Sequence, residues 1–380
     1  MNNEKITFME YLASTEIIEH HSKAPWIQIP RAMEKLSVPS WLICTKYNAS
    51  FTPPCTIIES GKKHASIIDG FLETGIVAKL IKNKNPNIFF QTNVRSFLFI
   101  NAFLWKIKYY FKRNSDIRYR PFFIFMTDWD GKRHSENFFS FYLRMLLYLI
   151  YSHSYDLFIV PSSCAYNALS KIPFFRIKYA IFLHYGFSKD SFKIKRYEET
   201  FREKIILCVA RVTPIKGQDL LINTFKELAK DFKGWSLIFV GKIEDEQYYN
   251  KLINLSEELS NKRIFFYLNI NDSDLEKLYE KASIFCLPSY IEGFPNVRIE
   301  AIGKGLPVIT SDAGCGEDFS KMGVIIFKRG DKEDLKGKLR LLMSNENVRK
   351  NIVYEEQKHI YSYEEYAKKI LAEYEKFINS

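Results

Sequence analysis

What this 380-residue chain lacks already narrows what it can be. No apolar run reaches the ~18 residues that a membrane-spanning helix needs; the longest candidate, Ser96 to Trp105, is too short. The opening stretch MNNEKITFMEYL has neither the basic start nor the long apolar core of a secretion signal, so a cytoplasmic protein is expected. The six cysteines (Cys44, Cys55, Cys164, Cys208, Cys286 and Cys315) form no C-x-x-C pair. Several lie in apolar, strand-like runs and read as reduced core thiols rather than a disulfide framework or a metal site. His20 and His21 are adjacent, so in any regular element they point in different directions and make a poor metal pair. No repeat with a period of roughly 20–50 residues is present, which excludes a solenoid or a propeller.

What is there is globular. Hydrophobic residues make up 47% and charged residues 26% of the chain, a balance that excludes disorder. The length exceeds one ordinary core and predicts two domains. Charge divides the chain as well. Residues 1–200 hold 27 Lys and Arg against 16 Asp and Glu, while residues 201–380 hold 28 of each, so the whole net charge of +11 lies in the first part. The expected organisation is a basic acceptor-binding domain over 1–200 and a second domain over 201–360. A final helix over 361–380 is expected to pack back towards the first. The basic domain should meet something anionic: a membrane surface, an acidic acceptor or nucleic acid.

The second part alternates two patterns. KIILCVA (Lys204–Ala210), WSLIFVG (Trp235–Gly241), RIFFYLNI, SIFCLPS, LPVITSD and GVIIFKRG read as strands. Between them, GQDLLINTFKELAKDF, YYNKLINLSEELS, DSDLEKLYEKA and NVRIEAIGKG carry helical spacing, the last closed by Gly305. Such alternation predicts a parallel sheet with helices on both faces. The first part is similar though less regular, with strands at KITFMEYL, PSWLICTK, PNIFFQTN, RPFFIFMTD and YDLFIVPSS and a helix at IPRAMEKLS. In doubly wound sheets ligands bind outside the carboxyl ends of the strands, and with two domains the site is expected in the cleft between them.

Four stretches carry a resemblance. EGFPNVRIE (Glu292–Glu300) fits an E-x7-E signature; ARVTPIKGQDLLINTF, GLPVITSDAGCGED and IFLHYGFSKDSF surround it in order, the last with Gly186 and Phe192. Together they resemble the retaining glycosyltransferases of family 4 (glycosyl transferases group 1), over about residues 157–330. The resemblance implies an α/β GT-B fold, two Rossmann-like doubly wound domains facing a central cleft. It also implies that Glu300 holds the ribose hydroxyls of a nucleotide-sugar and that Glu292 faces the donor sugar.

The residues agree with that implication. Eight helical residues span ~12 Å, beyond the ~5–10 Å between the paired carboxyls of a hydrolase. Pro295 favours the first helical position, which puts Glu292 and Gly293 in the loop ahead of the helix and Glu300 inside it. The two glutamates therefore touch different parts of a long ligand. Between them the run Gly293, Phe294, Pro295, Asn296 and Val297 is expected to bind the donor, since its helix start offers free N–H groups with the positive end of the helix dipole, which suits a diphosphate. The bland alternative is ordinary acidic residues near a helix start.

Arg211 and Lys216 follow the strand Lys204–Ala210, at the mouth of the sheet. Two fixed cations there would stabilise charge growing on a leaving diphosphate, the role the resemblance gives them; a solvated basic turn is the alternative. No acidic pair lies near this turn, so no obligatory metal is expected and no cofactor beyond the UDP- or GDP-sugar donor. Where many relatives carry a histidine, this chain has Asp128, Trp129 and Asp130. Asp128 or Asp130 binds a sugar hydroxyl, orients the acceptor, or caps a helix, and His134 reads as surface. The glycine-rich loop usual after the family's first strand is missing, and that region is expected to shape the acceptor site. Gly314 and Gly316 either admit a ligand to the backbone or make a tight turn.

Phe103–Arg120 interleaves Lys106, Lys108, Lys112, Arg113, Arg118 and Arg120 with aromatics. It reads as a patch for an anionic membrane, or as a solvated helix face; no nucleic-acid motif accompanies it. The expected function is transfer of a sugar from a nucleotide-sugar to a hydroxyl of a glycan or lipid-linked acceptor with retention, at the inner face of the cell membrane. The alternatives are a sugar-nucleotide epimerase and a catalytically silent glycan-binding or scaffold protein on the same fold.

Overall fold

The structure is a computed structural model. It describes residues 6–12, 16–18, 24–60, 67–91, 122–126, 138–174, 178–181, 194–199, 201–257, 259, 263–293, 295–314 and 316–379. The chain divides into two units: Met1–Ser188 with Tyr361–Ser380, and Lys189–Ile360.

In the first unit the elements run β1 (Phe8–Tyr11), β2 (Glu16–Ile18), α1 (Pro25–Lys35), β3 (Ser40–Cys44), β4 (Lys46–Asn48), β5 (Thr56–Glu59), α2 (Ile67–Lys84), β6 (Ile88–Gln91), β7 (Phe122–Met126), α3 (Phe138–Ser154), β8 (Leu157–Val160), α4 (Ser163–Ser170) and β9 (Lys178–Ile181). Seven of the strands form one sheet in the order β5-β3-β1-β6-β7-β8-β9, every pair parallel. Helices cover both faces, so the inner strands read as unbroken apolar runs, as in FFIFM of β7. Met9, Phe89, Phe123, Phe125 and Phe158 face one layer; Phe8, Ile88, Phe90, Ile124 and Ile159 face the other.

In the second unit β10 (Ile205–Val209), α5 (Gln218–Leu228), β11 (Ser236–Gly241), α6 (Glu246–Glu257), β12 (Ile264–Leu268), α7 (Asp272–Lys281), β13 (Ile284–Leu287), α8 (Asn296–Gly303), β14 (Val308–Ser311), α9 (Gly316–Lys321) and β15 (Ile325–Phe327) alternate strictly, then α10 (Lys332–Ser344) and α11 (Glu346–Gln357) follow. The sheet order is β12-β11-β10-β13-β14-β15, all parallel. Each unit is thus doubly wound. The strand order reverses between β10 and β13, and ligands of such sheets sit at that switch point.

The segment leading into β10 already belongs to the second unit, which is why the division falls at 188 and not at the charge boundary near 200. Lys195 N donates to Gly303 O. The guanidinium of Arg202 donates to the carbonyls of Tyr279, Glu280 and Ala282 and to those of Lys304 and Gly305, satisfying the orphan carbonyls where α7 and α8 end. Burial lowers its pKa to about 10. The last helix, α12 (Tyr363–Ile378), returns to the first unit. Its Tyr366, Ile370 and Tyr374 are buried in one cluster with Phe8, Met33 and Phe122.

Candidate functional site at the switch point of the second unit

Two loops leave the sheet where its order reverses, and the sequence knits them together. After β10 the chain makes a 3-10 turn, Pro214–Lys216, ended by Gly217 at φ 66°. A Cβ on Gly217 would stand 2.3 Å from the carbonyl oxygen of Pro288, so only glycine lets the two loops approach this closely. Tyr290 N then donates to Ile215 O at 2.8 Å. This contact carries Lys216 to Glu292: Nζ lies 2.6 Å from Oε1. The side chains are 12% and 6% exposed. The Ser289 hydroxyl donates to the same Oε1 at 2.6 Å. Among the described residues no donor bonds the other oxygen, Oε2.

A third loop, after β14, braces the second. Ser311 Oγ donates to Ser289 O at 2.5 Å, and Thr310 Oγ1 donates to Leu287 O at 3.1 Å. Gly314 adopts φ 64°, and a Cβ there would stand 2.3 Å from Gly293 O and 2.7 Å from Glu292 Cβ. Gly314 therefore makes both a left-handed turn and a close backbone approach, the latter to the Glu292 loop. Arg298 of α8, fully buried, donates to Ala313 O at 3.2 Å and lies over the Phe319 ring. Arg329, after β15, donates from Nη1 to Tyr290 O at 2.8 Å.

The helix beyond Glu292 begins one residue later than expected. Pro295 has ψ 116°, extended backbone, and stands just ahead of the first turn, which opens at Asn296. Asn296 Oδ1 is buried with no hydrogen-bond partner among the described residues, and Val297 is half-buried beside it. Glu300 sits one turn into the helix, half-buried, and accepts from the Tyr279 hydroxyl at 3.2 Å. Tyr279 is 2% exposed and stacks on Phe285. Burial, and next the Glu300 charge, push its phenol well above the ordinary range.

The structure thus brings Lys216 to Glu292. It pairs Arg211 instead with Glu244, both exposed, while the Arg211 carbonyl accepts from the buried Gln218 amide at 2.8 Å. Phe294, Asp128, Asp130, His134, Cys315 and the basic stretch 103–120 lie outside the described residues. Sequence reasoning missed Ser289, Ser311, Tyr279 and Arg329. Ser289 was the accessible one, three residues before Glu292 at the end of the strand-like run SIFCLPS; nothing local pointed to Tyr279.

Chemically the site offers a cation and a carboxylate largely withdrawn from water, and the first turn of a helix directly after the carboxylate's loop. Such a helix start binds anions. Beneath it, burial pushes the Cys208 thiol up to about 12, with Lys216 opposing and Glu292 adding to the shift, so Cys208 is no nucleophile.

Residues 190–359 match the model of a family described as glycosyl transferases group 1. An uncharacterized glycosyltransferase of Haemophilus influenzae is 34% identical over 146 residues, 37% of this chain and 40% of that protein. The capsular polysaccharide biosynthesis glycosyltransferase CapM of Staphylococcus aureus is 26% identical over 181 residues, 46% of each chain. The chain spans less than half the length of the first curated relatives it matches. Among solved structures, HepE of Anabaena in complex with UDP superposes with a TM-score of 0.72 at 14% identity, covering 97% of this chain and 98% of that one. That likeness establishes the fold, GT-B.

Proposed function

On the premise that residues 190–359 form a glycosyl transferases group 1 domain, we propose that the chain is a retaining glycosyltransferase. It moves a sugar from a UDP- or GDP-sugar to a hydroxyl of a glycan or lipid-linked acceptor. The observation that carries the reading is the Lys216–Glu292 pair at the switch point, with the start of α8 between Glu292 and Glu300. A nucleotide-sugar has the matching order. Glu300, held by Tyr279, takes the ribose; Lys216, Arg211 and the N–H groups of Gly293, Phe294, Asn296 and Val297 take the diphosphate, with Pro295 shaping the turn between them; Glu292 meets the sugar. Asp128 binds a sugar hydroxyl or orients the acceptor.

No residue is assigned as a covalent nucleophile. The C1–phosphate bond breaks as the bond from C1 to the acceptor oxygen forms on the same face, and the acceptor's proton passes to the departing phosphate. Lys216 and Arg211 stabilise the diphosphate charge as it grows, so no resident metal is required. UDP bound to HepE and the capsule-building role named for CapM support a nucleotide donor and a glycan product.

The net charge of +11 in residues 1–200 supports peripheral contact with anionic lipid at the cytoplasmic membrane face. No helix among the described residues is long and apolar enough to cross a membrane. A thermal-shift screen over UDP-, GDP- and ADP-sugars tests the donor assignment: at 100 times Kd a true donor stabilises by roughly 2.7 kcal/mol. No shift with any of them would overturn it. Sedimentation with anionic vesicles tests the membrane reading; binding should be tight at low salt, fall as salt rises, and be lost when Lys106, Lys108, Lys112 and Arg113 become Gln.

A further inference from the structure

We infer that Ser289 is the positioning residue that keeps Glu292 in place once a donor has taken Lys216 away. The inference rests on the reading of Lys216 and Glu292 as donor-contacting groups. The two donors that reach Glu292 among the described residues, Lys216 Nζ and Ser289 Oγ, use the same oxygen, Oε1, each at 2.6 Å. Oε2 is left to face a ligand. Lys216, however, cannot serve two anions equally. A diphosphate arriving at the start of α8 competes with the carboxylate for its ammonium, because the diphosphate of a sugar nucleotide carries two negative charges against the one of the carboxylate. When Lys216 swings to the phosphate, Ser289 alone still holds Oε1.

Ser289 is built for that task. It is fully buried, so water does not compete for its hydroxyl. Its own backbone is fixed from behind, since its carbonyl accepts from the buried Ser311 hydroxyl at 2.5 Å. One residue on, Tyr290 is held on both sides, N to Ile215 O at 2.8 Å and O from Arg329 Nη1 at 2.8 Å. The hydroxyl therefore has a fixed origin, while the lysine ammonium rides on a flexible stem of four methylenes. The division of labour follows: Lys216 is the exchangeable partner and Ser289 the permanent one.

The exchange makes a distinctive prediction. Without donor, Glu292 keeps Lys216 whether or not Ser289 is present. With donor bound, only Ser289 remains. Ser289→Ala should therefore lower kcat with the matching sugar nucleotide about tenfold or more, the value of a hydrogen bond to a charged group, with any loss of UDP or GDP affinity smaller than the loss of kcat. Ser289→Cys, a weaker donor of similar size, should fall between. Ser311→Ala removes the brace on the backbone but not the hydroxyl on the carboxylate, and reports the loss due to looser packing; it should lower kcat less than Ser289→Ala does.

The assay is donor hydrolysis and transfer with the full chain, beside calorimetric titration with UDP and GDP and a melting curve for each variant. Ser289→Ala with wild-type kcat, or with kcat lowered no more than in Ser311→Ala, overturns the inference. So does a loss that appears in nucleotide affinity instead of turnover. Glu292→Gln separates this from the reading beneath it. If Glu292→Gln turns over normally, or no sugar nucleotide is consumed, the donor-site reading itself falls and the inference with it. If Glu292→Gln is inactive while Ser289→Ala is not, only the inference falls.

Discussion

Breaking the Lys216–Glu292 pair from each side tests the geometry of the site without reference to any substrate. The two side chains are 12% and 6% exposed and 2.6 Å apart. Removing one partner of a buried pair strands the other charge away from water, at a cost of about 3–5 kcal/mol. Removing both strands nothing. Lys216→Met and Glu292→Gln should each destabilise the chain by roughly 3 kcal/mol, with Lys216→Met the milder because Ser289 still serves the carboxylate. The double variant should lose less than the sum, with a coupling of about 1–3 kcal/mol. The Arg211–Glu244 pair is the internal control. Its side chains are 57% and 45% exposed, and pairs that open contribute about 0–1 kcal/mol, so Arg211→Gln should barely move the urea midpoint. Urea denaturation of the four variants and the wild type gives all the terms. Single losses that add within about 0.5 kcal/mol in the double variant would refute the pairing.

Glu300→Gln should weaken UDP or GDP binding by about 1.5–3 kcal/mol in calorimetry and leave the melting curve unchanged; unaltered affinity would remove the ribose role. Gly314→Ala should lower both melting temperature and turnover, because φ 64° costs an L-residue about 1–2 kcal/mol and its Cβ would stand 2.3 Å from Gly293 O; wild-type behaviour would show that the loop does not rest on Glu292. Glu10 is fully buried with neither carboxyl oxygen bonded among the described residues, and burial holds its pKa well above 4.5. The unfolded chain releases that proton near 4.5 while the folded chain keeps it, so stability falls as pH rises from there towards the raised folded value. Glu10→Met should stabilise by about 1–3 kcal/mol, with a larger gain at about pH 8 than at about pH 5; a gain equal at both, or a loss, would contradict the burial argument.

Much of the fold was legible because of how parallel sheets are built. Strands covered on both faces, such as Ile205–Val209 and Phe122–Met126, show as short apolar runs between turn signals. Edge strands such as Thr56–Glu59 and Lys178–Ile181 carry charge and gave no such run. The helix Phe138–Ser154 was equally silent: FFSFYLRMLLYLIYSHS is apolar nearly all round, so no stripe betrays its period. In the site, Glu292 and Glu300 stood out because the motif is local. Their partners did not. Lys216 and Glu292 lie 76 residues apart, and Arg211 meets Glu244 only because the chain bridges Val212 to Ile243. Pairing of that kind is fixed by strand order, which a single sequence leaves open.

One of the helices that cover a face of the first unit, Tyr363–Ile378, follows the whole of the second unit in the chain. Phe8, Ile88 and Phe122 leave the ribosome early, but Tyr366, Ile370 and Tyr374, which seal them, follow only after residues 189–360. Asn87 waits for the Tyr374 hydroxyl, and Met126 for that of Tyr366. The continuous second unit can therefore fold on its own schedule, while the first stays open along an aromatic face until synthesis reaches the helix. A chain stalled or cut anywhere between the two halves of the first unit displays that face, the kind of surface by which chaperones and proteases sort failed products. Translation order thus keeps the apolar face of the first unit open until the helix Tyr363–Ile378 has been made.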